Sequence, residues 1–144
     1  MSYLTVSELM KTPAHVVHPR TPLTAARDEM KSAGIHHLPI VDGTGVLVGM
    51  ISDRDVDRAM SLMEAAEGMR QNLTVGDIAG GGALRVTPEL PAHEAAAMLI
   101  ESGGDGLPVV DGKGRVVGVL TATDLIEVAR EALLGVAPSL RARA

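Results

Sequence analysis

The chain has no cysteine, no tryptophan and no phenylalanine, and only one tyrosine. Without thiols it forms no disulfide, offers no thiolate to a metal and holds no thiol nucleophile, a usage that fits a reducing, cytoplasmic setting. Without aromatics the core must be assembled from Val, Leu, Ile, Ala and Met, and no stacking platform for bases exists. Positive charge is also scarce: 13 Lys and Arg stand against 18 Asp and Glu, a net charge of −5 with no basic run, so direct binding of nucleic acid is not expected. The one basic cluster, Arg141 and Arg143 at the extreme C-terminus, reads as a frayed tail. No apolar stretch approaches the ~20 residues of a membrane span, and the N-terminus shows no basic-then-apolar leader. Catalytic signatures are missing as well. There is no paired-carboxylate site, no nucleophile–base pair and no phosphate loop, because Gly80 to Gly82 lacks the Lys and Ser/Thr such a loop needs. The five histidines follow no metal-ligand spacing, and His36 and His37 point to opposite faces of a strand. The reading is therefore of a protein without catalytic residues or a metal centre.

What is present is one unit written twice. The stretch from His37 to Val56 returns from Gly106 to Leu125 at a constant offset of 69 residues, without a gap. The same offset carries Thr5-Val6 onto Thr74-Val75, Val17 onto Val86, Pro19 onto Pro88, Pro22 onto Pro91 and Gly34 onto Gly103. Each copy of the stretch reads as a hairpin: Leu38-Pro39-Ile40-Val41, the turn Asp42-Gly43-Thr44-Gly45, then an apolar run from Val46 to Ile51. A polar exit follows, Ser52 with Asp55 in the first copy and Thr121 with Asp124 in the second, spaced as residues that open a helix. Helix capping by itself accounts for such a pair; two pairs at matched positions after a hairpin favour a shared site.

The rest of the chain falls into a repeating order. A short helix runs from Ser7, as its cap, to Met10, a strand from His15 to His18, and a helix from Pro22 to about Ala33, stopped by Gly34. After the hairpin comes a helix from about Asp53 to Met60, and Ser61 to Gln71 form a helical connector broken near Gly68. The second copy gives a short helix at 75–79, a strand at 84–87, a helix at 91–102, a hairpin and a last helix at 123–134.

These residues resemble the CBS domain family in its tandem form, the Bateman module. The resemblance lies in Leu-Pro-Ile/Val-Val-Asp, the Gly-x-Gly turn, Gly49 and Gly118, Ser/Thr-x-x-Asp, and the lead-in Val6-Ser7-Glu8-Leu9-Met10 with Val17-x-Pro19. It covers the chain from about Thr5 to about Ala132. It implies an α+β fold of two pseudo-twofold-related units, each a small three-stranded sheet with flanking helices, packed sheet to sheet. The units would be residues 1–72 with the connector and 73–136, with 137–144 a flexible tail. In the family, clefts between the copies take AMP, ADP, ATP or S-adenosylmethionine. Carried over, one cleft would use Ser52, Arg54 and Asp55 with Val86 and Thr87 opposite. The other would use Thr121, Thr123 and Asp124 with Val17, His18, Ile35 and His36 opposite. A carboxylate accepts from both hydroxyls of a ribose diol, and a helix N-terminus with Arg54 suits phosphate.

The second copy departs from the pattern at Gly103-Gly104-Asp105-Gly106, where the glycines remove apolar walls and Asp105 repels phosphate unless a divalent cation bridges it. The function expected is an adenine-nucleotide sensor acting alone or on a regulated protein. The alternative is a module that keeps the fold without its ligand, for dimerisation or protein interaction. A homodimer is expected, because Ala26, Met30, Ala95, Met98 and Leu99, with Leu62, Met63, Ala66 and Met69 of the connector, exceed what one core needs.

Overall fold

The structure, a computed structural model, describes residues 3–66, 72–79, 83–104 and 106–141. Its elements are α1 (Val6–Leu9), α2 (Leu23–Ala33), β1 (His37–Val41), β2 (Leu47–Ser52), α3 (Asp53–Ala65), α4 (Val75–Ile78), α5 (Ala92–Ser102), β3 (Gly106–Val110), β4 (Val116–Thr121) and α6 (Ala122–Leu133). The fold is α+β, with two small antiparallel sheets, β1–β2 and β3–β4, and flanking helices.

The two hairpins are built alike. His37 pairs with Ser52 and Leu38 with Ile51, as Gly106 pairs with Thr121 and Leu107 with Leu120. The turns close through an aspartate. Asp42 Oδ1 accepts from the Thr44 and Val46 amides at 2.8 and 3.1 Å, and Asp111 Oδ1 from Lys113 and Arg115 at 2.8 and 3.0 Å. Gly45 and Gly114 complete the turns at φ 87° and 79°, a conformation costly for any residue with a Cβ. The third strand expected in each sheet is reduced to one bridging residue. Val17 donates to Pro39 O (3.0 Å) and accepts from Val41 N–H (2.8 Å), after which Pro19 has no N–H to give and the Thr21 amide turns back onto His18 O. Val86 makes the same pair of bonds to Pro108 and Val110.

The compact units do not follow the repeat boundary at 72/73: one gathers residues 1–14 with 84–144, the other residues 15–83. The backbone shows how. Val6 and Ser7 donate to Leu90 O and Pro88 O, both at 2.9 Å, and Ala92 donates to Leu4 O at 2.7 Å, so α1 of the first repeat docks on the second. Reciprocally, Val75 and Gly76 donate to Thr21 O and Pro19 O, and Leu23 to Leu73 O. The leading segments of the two repeats have exchanged places. Helix α1 is capped by Thr5, two residues earlier than the Ser7 expected, because Glu8 reaches back to accept from the Thr5 amide at 3.1 Å in a capping box.

In the first unit Val6, Leu9, Val86, Ala95, Leu99, Leu107, Val109 and Leu120 form the core; in the other Val17, Leu23, Ala26, Met30, Leu38, Ile40, Ile51 and Val56 do so. Each fully buried Leu contributes about 1.5–3 kcal/mol relative to exposure. This corrects the surface expected for a dimer: Ala26, Met30, Ala95 and Leu99 are buried within their own units. Helical spacing could not tell an inward stripe from an outward one; Leu62 is exposed as expected, and the exposed apolar side chains also include Ile100, Ile126, Leu133 and Leu134.

The C-terminal segment, expected as a flexible tail, is anchored as far as Arg141. Gly135 (φ 75°) turns the chain, Ser139 bonds the Glu131 carboxylate through its amide at 2.6 Å and its hydroxyl at 2.9 Å, and Leu140 packs on the core. The Arg141 amide then donates to Glu8 O at 2.8 Å. An apolar residue followed by a cation seeking a buried carboxylate gives the segment a reason to fold that composition alone did not show. The connector near Gly68, the Gly80–Gly82 loop, Asp105 and Arg143 lie outside the described residues.

Candidate functional site

Both Ser/Thr-x-x-Asp sequences form capping boxes at a hairpin exit. Ser52 caps α3: its hydroxyl accepts from the Asp55 amide at 3.2 Å, and Asp55 Oδ2 accepts from the Ser52 amide at 3.0 Å. Thr121 caps α6 in the same way, at 3.3 and 2.8 Å. The strand delivers the cap residue in extended conformation (φ −108° and −112°), so sheet and helix together fix where each carboxylate points.

The two carboxylates differ in everything else. Asp55 is exposed, and its Oδ1 takes no donor among the described residues. Asp124 is the buried charge of the first unit, 2% exposed. Its Oδ1 accepts from Lys11 Nζ and from the Arg141 guanidinium, each at 2.5 Å, while Oδ2 accepts from the Thr121 amide at 2.8 Å and the Thr121 hydroxyl at 3.0 Å. Burial pushes the Asp124 carboxyl upward, but Lys11, the Thr121 amide and Arg141 together hold it below the usual carboxylate range. Arg141 is raised in turn, first by its bond to Asp124. Neither Lys11 nor Arg141 was marked as a site residue by the sequence. Lys11 lies over a hundred positions away and is brought in by its bridge to Val119, and Arg141 looked like the end of a tail.

The other expected residues are placed as follows. The side chains of Val17 and Val86 belong to the cores of their own units. His18 is exposed, with Nδ1 3.1 Å from Val41 O. Arg54, Thr87 and Thr123 are exposed. Ile35 and His36 lie beside the start of α3, where His36 O accepts from the Asp53 amide at 2.9 Å and His36 Nδ1 is 2.7 Å from Asp53 Oδ2. There they line a hollow of about 400 Å³ with Arg27, Met30, Lys31, Gly34, Asp53 and Asp57. Among the described residues no group of three His, Asp or Glu is arranged to hold a metal ion, and no helix is long and apolar enough to cross a membrane.

Two hairpin-and-helix units, each opening a helix on a capped carboxylate, define a tandem-repeat module. The CBS domain model matches residues 6–62 and again 75–131, and the chain belongs to the CBS domain family. It is 32% identical over 139 residues, 92% of this chain and 96% of the relative, to a CBS domain-containing protein of Dictyostelium discoideum. Among solved structures it is similar to the CBS domain pair of protein MJ0100 in complex with 5′-methylthioadenosine and S-adenosyl-L-methionine. That likeness has a TM-score of 0.82 and 25% identity, over 91% of this chain and 99% of that one. It is also similar to CBSX2 of Arabidopsis thaliana in complex with AMP, with a TM-score of 0.77 and 28% identity over 92% and 99% of the two chains.

Proposed function

We propose that the chain is a non-catalytic regulatory module that binds an adenosine-bearing ligand (AMP, ADP, ATP or S-adenosylmethionine) and passes its occupancy to a regulated protein. The observation that carries this reading is the capped carboxylate at the start of both α3 and α6, in a chain whose structural neighbours hold AMP, methylthioadenosine and S-adenosylmethionine. Asp55, whose Oδ1 takes no donor among the described residues, accepts the two ribose hydroxyls, which a deoxy sugar could not both supply. Ser52 and the free amides of the first turn of α3 face the phosphate side, with Arg54 as a forked cation. Thr121, Thr123 and Asp124 repeat the set, and Thr87, His18, Ile35 and His36 contribute walls and backbone groups for the base, while Val17 and Val86, buried with both backbone groups bonded, only support them from below.

Hydrogen bonds to a charged acceptor contribute about 1.5–3 kcal/mol, so Asp55→Ala is expected to weaken AMP binding by about 10- to 100-fold. Titration calorimetry measures it; an affinity equal to the parent's would leave Asp55 as a cap and nothing more. The second reading, a ligand-free interaction module, is favoured by the filled acceptor positions of Asp124. It predicts no rise in melting temperature with AMP, ATP or S-adenosylmethionine, whereas a ligand at 100 times its dissociation constant adds about 2.7 kcal/mol.

Either reading includes a homodimer, supported by the exposed Ile100, Ile126, Leu133 and Leu134 of a single unit. Light scattering is expected to give twice the chain's 14.9 kDa; a mass of one chain would remove the dimer.

A further inference from the structure

The two copies of the carboxylate site are not equivalent, and the difference is written into the residues around them. Asp124 has four acceptor positions on its two oxygens, and four donors fill them: Lys11, Arg141, and the amide and hydroxyl of Thr121. A ribose hydroxyl cannot be accepted there until a cation leaves and opens one of these positions. The cation placed to leave is Arg141. It arrives on the last described residue of the chain and spreads over three groups, with Nη1 on Asp124 and on Leu9 O (3.0 Å) and Nη2 on Glu127 (2.6 Å). Ser139 on Glu131 holds the approach.

Thr121 has its counterpart in Ser52, but the charged partners are missing from the first copy. At the offset of 69, the counterpart of Lys11 is Gly80, that of Glu127 is Arg58, that of Glu131 is Leu62, and that of Arg141 is Asn72. An arginine brought to Asp55 would meet Arg58, a like charge, where Arg141 meets Glu127. Asp55 is exposed, and its Oδ1 takes no donor among the described residues.

We propose that the C-terminal segment is a built-in plug: Arg141 occupies the Asp124 carboxylate as an internal competitor, so that ligand fills the Asp55 site first and the Asp124 site only when the segment lets go. This rests on the reading of both carboxylates as ribose acceptors. A ligand that must first displace the segment binds with an affinity reduced by the fraction of time the site is open. An ion pair that is one-third to one-half exposed on the cation side holds that fraction near one in ten.

The test uses the full chain carrying Asp55→Ala, so that only the Asp124 site can bind, with AMP and S-adenosylmethionine as probes in titration calorimetry. Adding Arg141→Ala is expected to tighten binding about tenfold, and Arg141→Lys, which keeps the charge but not the fork, is expected to tighten it less. Trypsin provides a second readout: cleavage after Arg141 in the parent chain is expected to be slow without ligand and to speed up at saturation. Unchanged affinity on Arg141→Ala overturns the plug while leaving the ribose reading intact. Weakened affinity overturns it too, making Arg141 a ligand contact. Binding by neither the parent nor any Arg141 variant removes the ribose reading, and the plug with it.

Discussion

Replacing Asp124 by alanine is expected to lower the unfolding free energy by about 3 kcal/mol at neutral pH, whereas the same change at Asp55 is expected to cost about 1 kcal/mol. Both residues lose a capping box, which accounts for the common part. Only Asp124 also loses two cations at a carboxylate with no exposed side-chain surface. Removing one partner of a fully buried pair costs about 3–5 kcal/mol; here Lys11 and Arg141 keep 46% and 38% of their side chains exposed and can return to water, so about 2 kcal/mol remains. The resemblance marked Asp124 only as a residue of a ligand cleft. The burial of this carboxylate makes it a stability residue as well.

The pH dependence follows from the sign of the shift. The folded-state pKa of Asp124 is lowered, so its stabilisation is present in full above the unfolded value of about 3.9 and is lost as pH falls through the folded value. The gap between parent and Asp124→Ala is therefore expected to hold from pH 8 to about 5 and to narrow below about 4. Denaturant unfolding at pH 7, 5 and 3 measures it. A gap at pH 7 no larger than that of Asp55→Ala would mean the two cations add nothing.

The second large effect is expected at Gly118. A Cβ there would stand 2.7 Å from Met10 Sδ and 2.9 Å from the Lys11 carbonyl oxygen. The sulfur can swing aside, but the carbonyl cannot, because it accepts from the Val119 amide at 3.1 Å while the Lys11 amide donates to Val119 O at 2.9 Å. Gly118→Val is expected to destabilise by about 3 kcal/mol, and Gly118→Ala by about 1–2 kcal/mol. The damage should be local in a telling way: the bridge that fails is the one that sets Lys11 beside Asp124. Hydrogen exchange of the Lys11 and Val119 amides is expected to speed up together. Protection equal to the parent's would show that the close approach of these segments is not what glycine serves at this position.

Much of the molecule was legible in the chain. Hairpin strands, turn chemistry, the αL stops at Gly34 and Gly103 and the helix starts at Ser52 and Thr121 are local matters, decided by residues a few positions apart whose patterns survive in one dimension. Repetition at a fixed offset made the same reading twice and so singled out Asp55 and Asp124. What the chain could not show were the choices made by contacts distant in sequence. The outer strand of each sheet shrank to Val17 and Val86 because prolines interrupt the ladder after a single pair of bonds. The stripe of Ala26 and Met30 turned inward, since a helix pattern gives a face but not what the face meets.

The sequence by itself determined the family, the two-copy organisation and the pair of carboxylates, because each is a property of short-range spacing. Only the tertiary structure decided that α1 and α4 trade places between repeats, and that the two carboxylates have different lives. A charge buried beside a chain that returns from either end must take its partners from there. Lys11 and Arg141, remote from Asp124 in the chain, became its partners once α1 and the C-terminal segment had packed on the same core.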